Sequence, residues 1–150
     1  GVDAVVQTLG VDLRRAVSPR PIALFSRSTE ILIEAMDAAG VSRLIAVTGY
    51  GAGDSRVRQG CVESFFSRGI LGRAYDDKDR QELAIRHSDL EWVIARPVVL
   101  TPGPRTQRYR VFTHPADWGP GCISRADVAD FLVRQVDDDS YLYETPMLSA

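Results

Sequence analysis

The segment that most constrains the fold is VSRLIAVTGYGAG, starting at Val41, followed by a helical stretch and then by HSDLEWVIARPVVLTPGP from His87. Leu44 to Thr48 (LIAVT) and Trp92 to Ala95 (WVIA) are continuous apolar runs, not alternating ones. A strand reads this way when both of its faces are covered, as in a parallel sheet between helices. Parallel neighbours need a long crossover, and the stretch between the two runs is long enough to supply it. The pattern therefore predicts an α/β fold with the turn after Thr48 at the carboxyl end of a strand.

The flanking sequence fits the same plan. Asp3 to Thr8 (DAVVQT) reads as another buried strand, closed by Gly10, and Leu13 to Pro21 as a loop. Ile22, Leu24, Phe25, Thr29, Leu32, Ile33, Met36 and Ala39 have helical spacing, and Gly40 stops that helix. Gly49 to Asp54 is a turn-rich loop, and Val57 to Leu71 a helix weakened by Gly60, Gly69 and Gly72. Tyr75 to His87 is a better helix, with Asp76 and Asp77 near its positive end and Arg86 and His87 near its negative end. Arg96 and Pro97 end the WVIA strand, and Pro102 to Pro104 make a stiff loop before a short strand over Tyr109 to Phe112. Ser124 is an N-cap for a helix over Arg125 to Val136, with Asp127 at its third position, and Thr145 to Leu148 would add a last edge strand.

With 150 residues, 45% of them hydrophobic, the chain can bury one core, so residues 1–150 are read as a single domain. A net charge of −2 gives no footprint for nucleic acid or an anionic membrane. No apolar run approaches the roughly 18 residues that span a bilayer, and no charged-then-apolar leader precedes the first strand. The expectation is a cytoplasmic protein in which Cys61 and Cys122 are reduced, packed thiols. His87 and His114 are isolated, so no metal site is expected.

Four segments, in order, carry a resemblance: DAVVQTLG from Asp3, AMDAAGVSRLIAVTG from Ala35, Lys78 and Glu82 followed by SDLEWVIARP from Ser88, and ISRADVADFLV from Ile123. Together they resemble the atypical short-chain dehydrogenases with an NAD(P)H-binding domain, in particular the NmrA-like and biliverdin-IXβ/flavin reductase branches. The resemblance runs over nearly the whole chain and implies a Rossmann-like, doubly wound, mostly parallel sheet. It also implies that this is the C-terminal portion of such a domain. The glycine-rich phosphate turn that opens the family's domain has no counterpart at Gly1 or Gly10, and roughly 60–75 residues are absent by comparison with a doubly wound domain, so either the gene product is longer than this chain or this is a degenerate half-domain. The implied cofactor is NADPH or NADH.

In open parallel sheets, ligands lie off the carboxyl ends of the strands, which selects Thr8 to Gly10, Thr48 to Tyr50 and Arg96 to Leu100. By resemblance, Leu9 and Gly10 flank the adenosine, Thr48, Gly49 and Tyr50 lie under the nicotinamide, and Pro97, Val98 and Val99 meet its carboxamide through backbone groups. Strand termination and core packing account equally simply for Pro97 and the valines. Lys78 either holds the nicotinamide ribose or is a helical lysine paired with Glu82 at i+4.

The family's tyrosine stands four residues before its lysine, whereas Tyr75 precedes Lys78 by three, and Gly49 stands where the family's serine would be. Tyr75 and Tyr50 are the candidate phenols for proton donation, with Tyr50 equally suited to a pocket wall. Val98 stands near where the biliverdin/flavin branch often has a histidine. Arg96 is read as a loop anchor to Asp127 or Asp130, and Arg105, Arg108 and Arg110 as a solvated face or a steering patch. Arg14, Arg15 and Arg20 are read as solvated, His114 as a minor substrate-facing candidate, and Phe65, Phe66 and Ile70 as lid or core.

These readings imply an NAD(P)H-dependent oxidoreductase that reduces a small flat acceptor such as a flavin or quinone. The alternatives are a non-catalytic NmrA-like redox sensor and, last, a sugar-nucleotide epimerase or dehydratase, for which the segment after Pro97 is short.

Overall fold

A computed structural model describes residues 1–11, 23–53 and 72–150. Its strands are β1 (Ala4–Gln7), β2 (Arg43–Val47), β3 (Glu91–Pro97), β4 (Val99–Thr101), β5 (Arg110–Phe112), β6 (Cys122–Ser124) and β7 (Met147–Ser149). The helices are α1 (Leu24–Ala39), α2 (Gly72–Arg86) and α3 (Arg125–Arg134), with one 3-10 turn at Pro115–Asp117. Among the described residues the main sheet has the order β1-β2-β3-β7-β5, all parallel except β5 against β7, and β4 and β6 form a separate parallel ribbon. This is an α/β, Rossmann-like architecture.

The continuous apolar runs are explained by where their side chains go. Along β2 and β3, Leu44, Ala46, Trp92 and Ile94 pack with Met36 of α1 and Ile85 of α2. Ile45, Val93 and Ala95 pack on the other face with Val128, Phe131 and Leu132 of α3. Successive side chains of a strand face opposite sides, so helices on both sides require an unbroken apolar sequence. Each large side chain buried this way contributes roughly 1.5–3 kcal/mol.

Helix boundaries follow local chemistry at two sites and tertiary chemistry at a third. Gly40 ends α1 in the left-handed region at φ 68°, where its N–H reaches back to Met36 and Asp37 carbonyls. Ser124 caps α3 by accepting from the Asp127 N–H at 3.0 Å, as its sequence position predicts. The N-terminus of α1 has no local side-chain cap. Instead the buried Asp77 of α2 accepts from the Phe25 N–H at 2.8 Å and from the Ser26 hydroxyl, capping a neighbouring helix from 52 and 51 residues away.

Several expectations are corrected. Helix α2 begins at Gly72, so Asp76 and Asp77 lie past its first turn and do not serve its own dipole. β7 is interior, between β3 and β5, because its backbone pairs on both sides. The β4–β6 ribbon was not anticipated, its strands being three residues each. Cys122 is exposed, not packed, since it faces outward from that ribbon's short strand. The loop over Leu13 to Pro21, the helix over Val57 to Leu71, and Ile22, Arg14, Arg15, Arg20, Cys61, Phe65, Phe66 and Ile70 lie outside the described residues.

Candidate functional site

A crevice of about 730 Å3 opens off the carboxyl ends of β1 and β2. Thr8, Leu9, Gly10 and Val11 line it after β1, and Val47 and Thr48 at the end of β2. Phe25 comes from α1, Ala74, Tyr75 and Lys78 from α2, Leu100 from β4, and Arg125, Val128, Ala129 and Leu132 from α3. Among the described residues the wall is thus largely apolar, and its two charged side chains are both cationic.

Lys78 is the only lysine of the chain. Its Nζ donates to the Thr48 carbonyl oxygen at the end of β2 and lies 4.7 Å from the centre of the Phe25 ring. Burial of the ammonium end lowers its pKa to about 8, opposed in part by the nearby carboxylates of Glu82 and Asp77. The anticipated i+4 partner, Glu82, is occupied otherwise.

Glu82 and Arg96 form a buried pair behind the crevice. Glu82 Oε1 accepts from the Thr48 hydroxyl at 2.7 Å and from Arg96 Nε at 3.0 Å, and Glu82 Oε2 accepts from Arg96 Nη2 at 2.6 Å. Arg96 is fully buried, and its guanidinium lies 5.3 Å from the centre of the Trp118 ring. Its partner is therefore Glu82, not Asp127 or Asp130: the inward-facing end of β3 meets α2 rather than α3. The turn after β2 closes over this pair. Gly53, at φ 57°, has its Cα so near that a Cβ would lie 2.4 Å from Glu82 Oε2 and 2.5 Å from Arg96 Nη2. Its N–H donates to Asp79 Oδ1 at 2.6 Å.

The other candidates are distributed around this frame. Tyr75 lines the crevice, and its hydroxyl donates to the Tyr50 carbonyl at 3.2 Å. Gly49 adjoins Tyr75 Oη and the Pro97 carbonyl, each 3.9 Å from where a Cβ would stand. The Tyr50 ring is buried in the α3-side core, and its N–H donates to Pro97 O at 3.0 Å. Val98 is also in that core, while Val99 is exposed. The N–H groups of Val98 and Val99 donate to Leu148 O and Gly121 O, so they are engaged in holding the strands. Pro97, Val98 and Val99 thus stand behind the wall, and Leu100, one residue on, reaches it.

On the far side, Asp127 and Asp130 of α3 fasten the loop before β5. Burial alone would raise the Asp127 carboxyl, but bonds from the Gln107 and Thr106 N–H groups and the Thr106 and Ser124 hydroxyls hold it below the ordinary carboxylate range. Asp130 accepts from Tyr109 and Gln107 and pairs with Arg105 and Arg134. Arg105 is therefore an ion-pair partner, Arg110 stacks 5.3 Å from the Phe112 ring centre, and His114 caps the 3-10 turn. Of the residues lining the crevice, Arg125 was not among the sequence candidates. Arg125 follows the cap residue Ser124 directly, and that adjacency was the available signal.

The architecture is shared by solved structures. ChuY from Escherichia coli O157:H7, described as an anaerobilin reductase, superposes with a TM-score of 0.74 and 25% identity, over 88% of this chain and 61% of that one. The oxidoreductase YlbE from Lactococcus lactis gives 0.78 and 18%, over 99% and 62%. A short-chain dehydrogenase/reductase from Veillonella parvula, solved in complex with NADP, gives 0.71 and 18%, over 92% and 66%. The chain spans about three-fifths of the length of the ChuY structures. No curated protein sequence matches it. The sequence profile described as NAD(P)H-binding matches residues 1–139, and the chain belongs to that family.

Proposed function

We propose that the chain carries the nicotinamide-facing part of an NAD(P)H-dependent reductase whose acceptor is a small flat conjugated molecule such as a flavin or quinone. The observation that carries this reading is the position of Lys78, the chain's only lysine, held against the Thr48 carbonyl on the wall of the crevice. The donor set suits a dinucleotide: a cation for ribose and phosphate oxygens, a glycine turn at Gly10, and apolar surface for a planar ring. Lys78 would hold the ribose, Leu9 and Gly10 the adenosine side, and Thr48 and Gly49 the nicotinamide side, with Pro97, Val98 and Val99 supporting the wall behind. Glu82 and Arg96 keep Thr48 in register with α2.

A reduced nicotinamide held by Lys78, Thr48 and Gly49 would supply a hydride, and solvent would supply the proton that completes two-electron reduction of the acceptor. The apolar wall from Val128 to Leu132 excludes water from the acceptor's face.

A second reading, a redox sensor without turnover, is favoured by one observation. The Tyr75 hydroxyl proton is directed at the Tyr50 carbonyl. One experiment separates the two: titrate NADPH and NADH into the wild type and Lys78→Met, then follow nicotinamide oxidation with FMN and menadione. The reductase reading expects binding weakened roughly tenfold or more by Lys78→Met, and wild-type turnover. Tight binding without turnover identifies the sensor, and absence of binding to a folded chain that also carries the glycine-rich phosphate turn overturns both.

A further inference from the structure

We propose that Arg125 is an anion subsite for the acceptor, so that the molecule reduced carries an oxyanion group on its flat apolar body. The inference rests on the reductase reading above and narrows its substrate class. Arg125 is exposed at the first turn of α3 and faces the crevice. Among the described residues it has no hydrogen bond or ion pair.

The reason lies in its neighbours. Its i+3 and i+4 neighbours, Val128 and Ala129, are uncharged, and the two acids of α3 are engaged elsewhere. Asp127 is taken by Thr106, Gln107 and Ser124, and Asp130 by Tyr109, Gln107, Arg105 and Arg134. Among the described residues no acidic side chain lines the crevice. An unpaired guanidinium beside Val128, Leu132 and Leu100 suits a ligand with a charged end and an apolar face.

The order of the elements assigns this group to the acceptor and not to the cofactor. In the proposed pose the adenosine lies beyond β1, and Lys78 stands at the end of β2. Arg125 directly follows β6, which pairs with β4, the continuation of β3. It therefore enters the crevice from the side of the β4–β6 ribbon, where Leu100 also lines it, and not from β1 or β2.

The test compares FMN with riboflavin, which share a ring and differ in a terminal phosphate. Equilibrium binding is measured by flavin fluorescence on the NADP-saturated wild type, Arg125→Gln and Arg125→Lys, with turnover under NADPH recorded separately. The inference expects FMN to bind about tenfold more tightly than riboflavin, Arg125→Gln to bring that ratio to about one, and Arg125→Lys to restore part of it. This pattern without turnover sustains the anion subsite and removes the reductase reading. Turnover with a ratio near one in the wild type does the reverse. Loss of NADP affinity in Arg125→Gln with no change in the ratio overturns the subsite, since the anion would then be the cofactor's, and so does failure of both flavins to bind.

Discussion

Replacing Glu82 with glutamine is the most direct probe of the frame behind the crevice. The change keeps the side chain's shape and leaves Oε1 able to accept from Thr48 and Arg96 Nε. It removes the charge, and it turns an NH2 group toward Arg96 Nη2, 2.6 Å from where Oε2 had been. Arg86, 3.9 Å from Glu82, is partly exposed and can turn to water, whereas Arg96 is fully buried and cannot. Stranding one charge of a buried pair costs about 3–5 kcal/mol. With a urea dependence of about 2 kcal/mol per molar, the unfolding midpoint should fall by about 2 M. Trp92 and Trp118, each near an arginine of this region, give the fluorescence signal. The double change Glu82→Leu with Arg96→Met removes both charges and should recover most of the loss, because well-packed apolar replacements of buried pairs are often neutral. A midpoint for Glu82→Gln within about 0.3 M of wild type would refute the argument, as would a double variant no more stable than the single one.

Gly53→Ala should destabilise the chain by about 1–3 kcal/mol, from a left-handed backbone and a methyl driven into the Glu82–Arg96 pair; denaturant unfolding measures it. Asp77→Ala should cost about 1–3 kcal/mol by leaving the buried Phe25 N–H without its acceptor, and an unchanged midpoint would refute capping across helices. Lys78, the only side-chain amine, should react with amine-specific acylating reagents at a rate rising through about pH 8, and peptide mapping should find no such adduct in Lys78→Arg. A rate rising only near pH 10 would contradict its burial. Because its folded pKa lies below the unfolded 10.5, the chain binds fewer protons folded than unfolded, and stability should rise between about pH 8 and 10.5.

The layered fold was legible because its strongest signals are local. Unbroken apolar runs at LIAVT and WVIA require helices on both faces, Gly40 ends a helix by its own conformational freedom, and Ser124 caps within three residues. What was hidden depends on pairing across the chain. Arg96 had acids of equal charge available on α2 and α3, and only the side of the sheet it faces decides for Glu82. β7 reads like an edge strand because no local feature records that β5 returns antiparallel beside it. Asp77 reads as a helix-start acid for a helix expected from Tyr75, yet its carboxylate serves another helix. In the crevice wall, Thr48 was reachable from the strand-end rule and Lys78 from the family resemblance. Arg125 was not, because only folding brings the first turn of α3 alongside Leu100 and the end of β2.

Helix α2 has one further property. Three consecutive residues and a fourth one turn on hold separate parts of the chain: Asp77 the start of α1, Lys78 the end of β2, Asp79 the Gly53 amide, and Glu82 the end of β3. These attachments cannot be released one by one without leaving buried polar groups bare, so they should open together as one cooperative unit. The Phe25 and Gly53 amides, 28 residues apart in sequence and on different elements, should then exchange their hydrogens with the same opening free energy and slow together when a ligand enters the crevice.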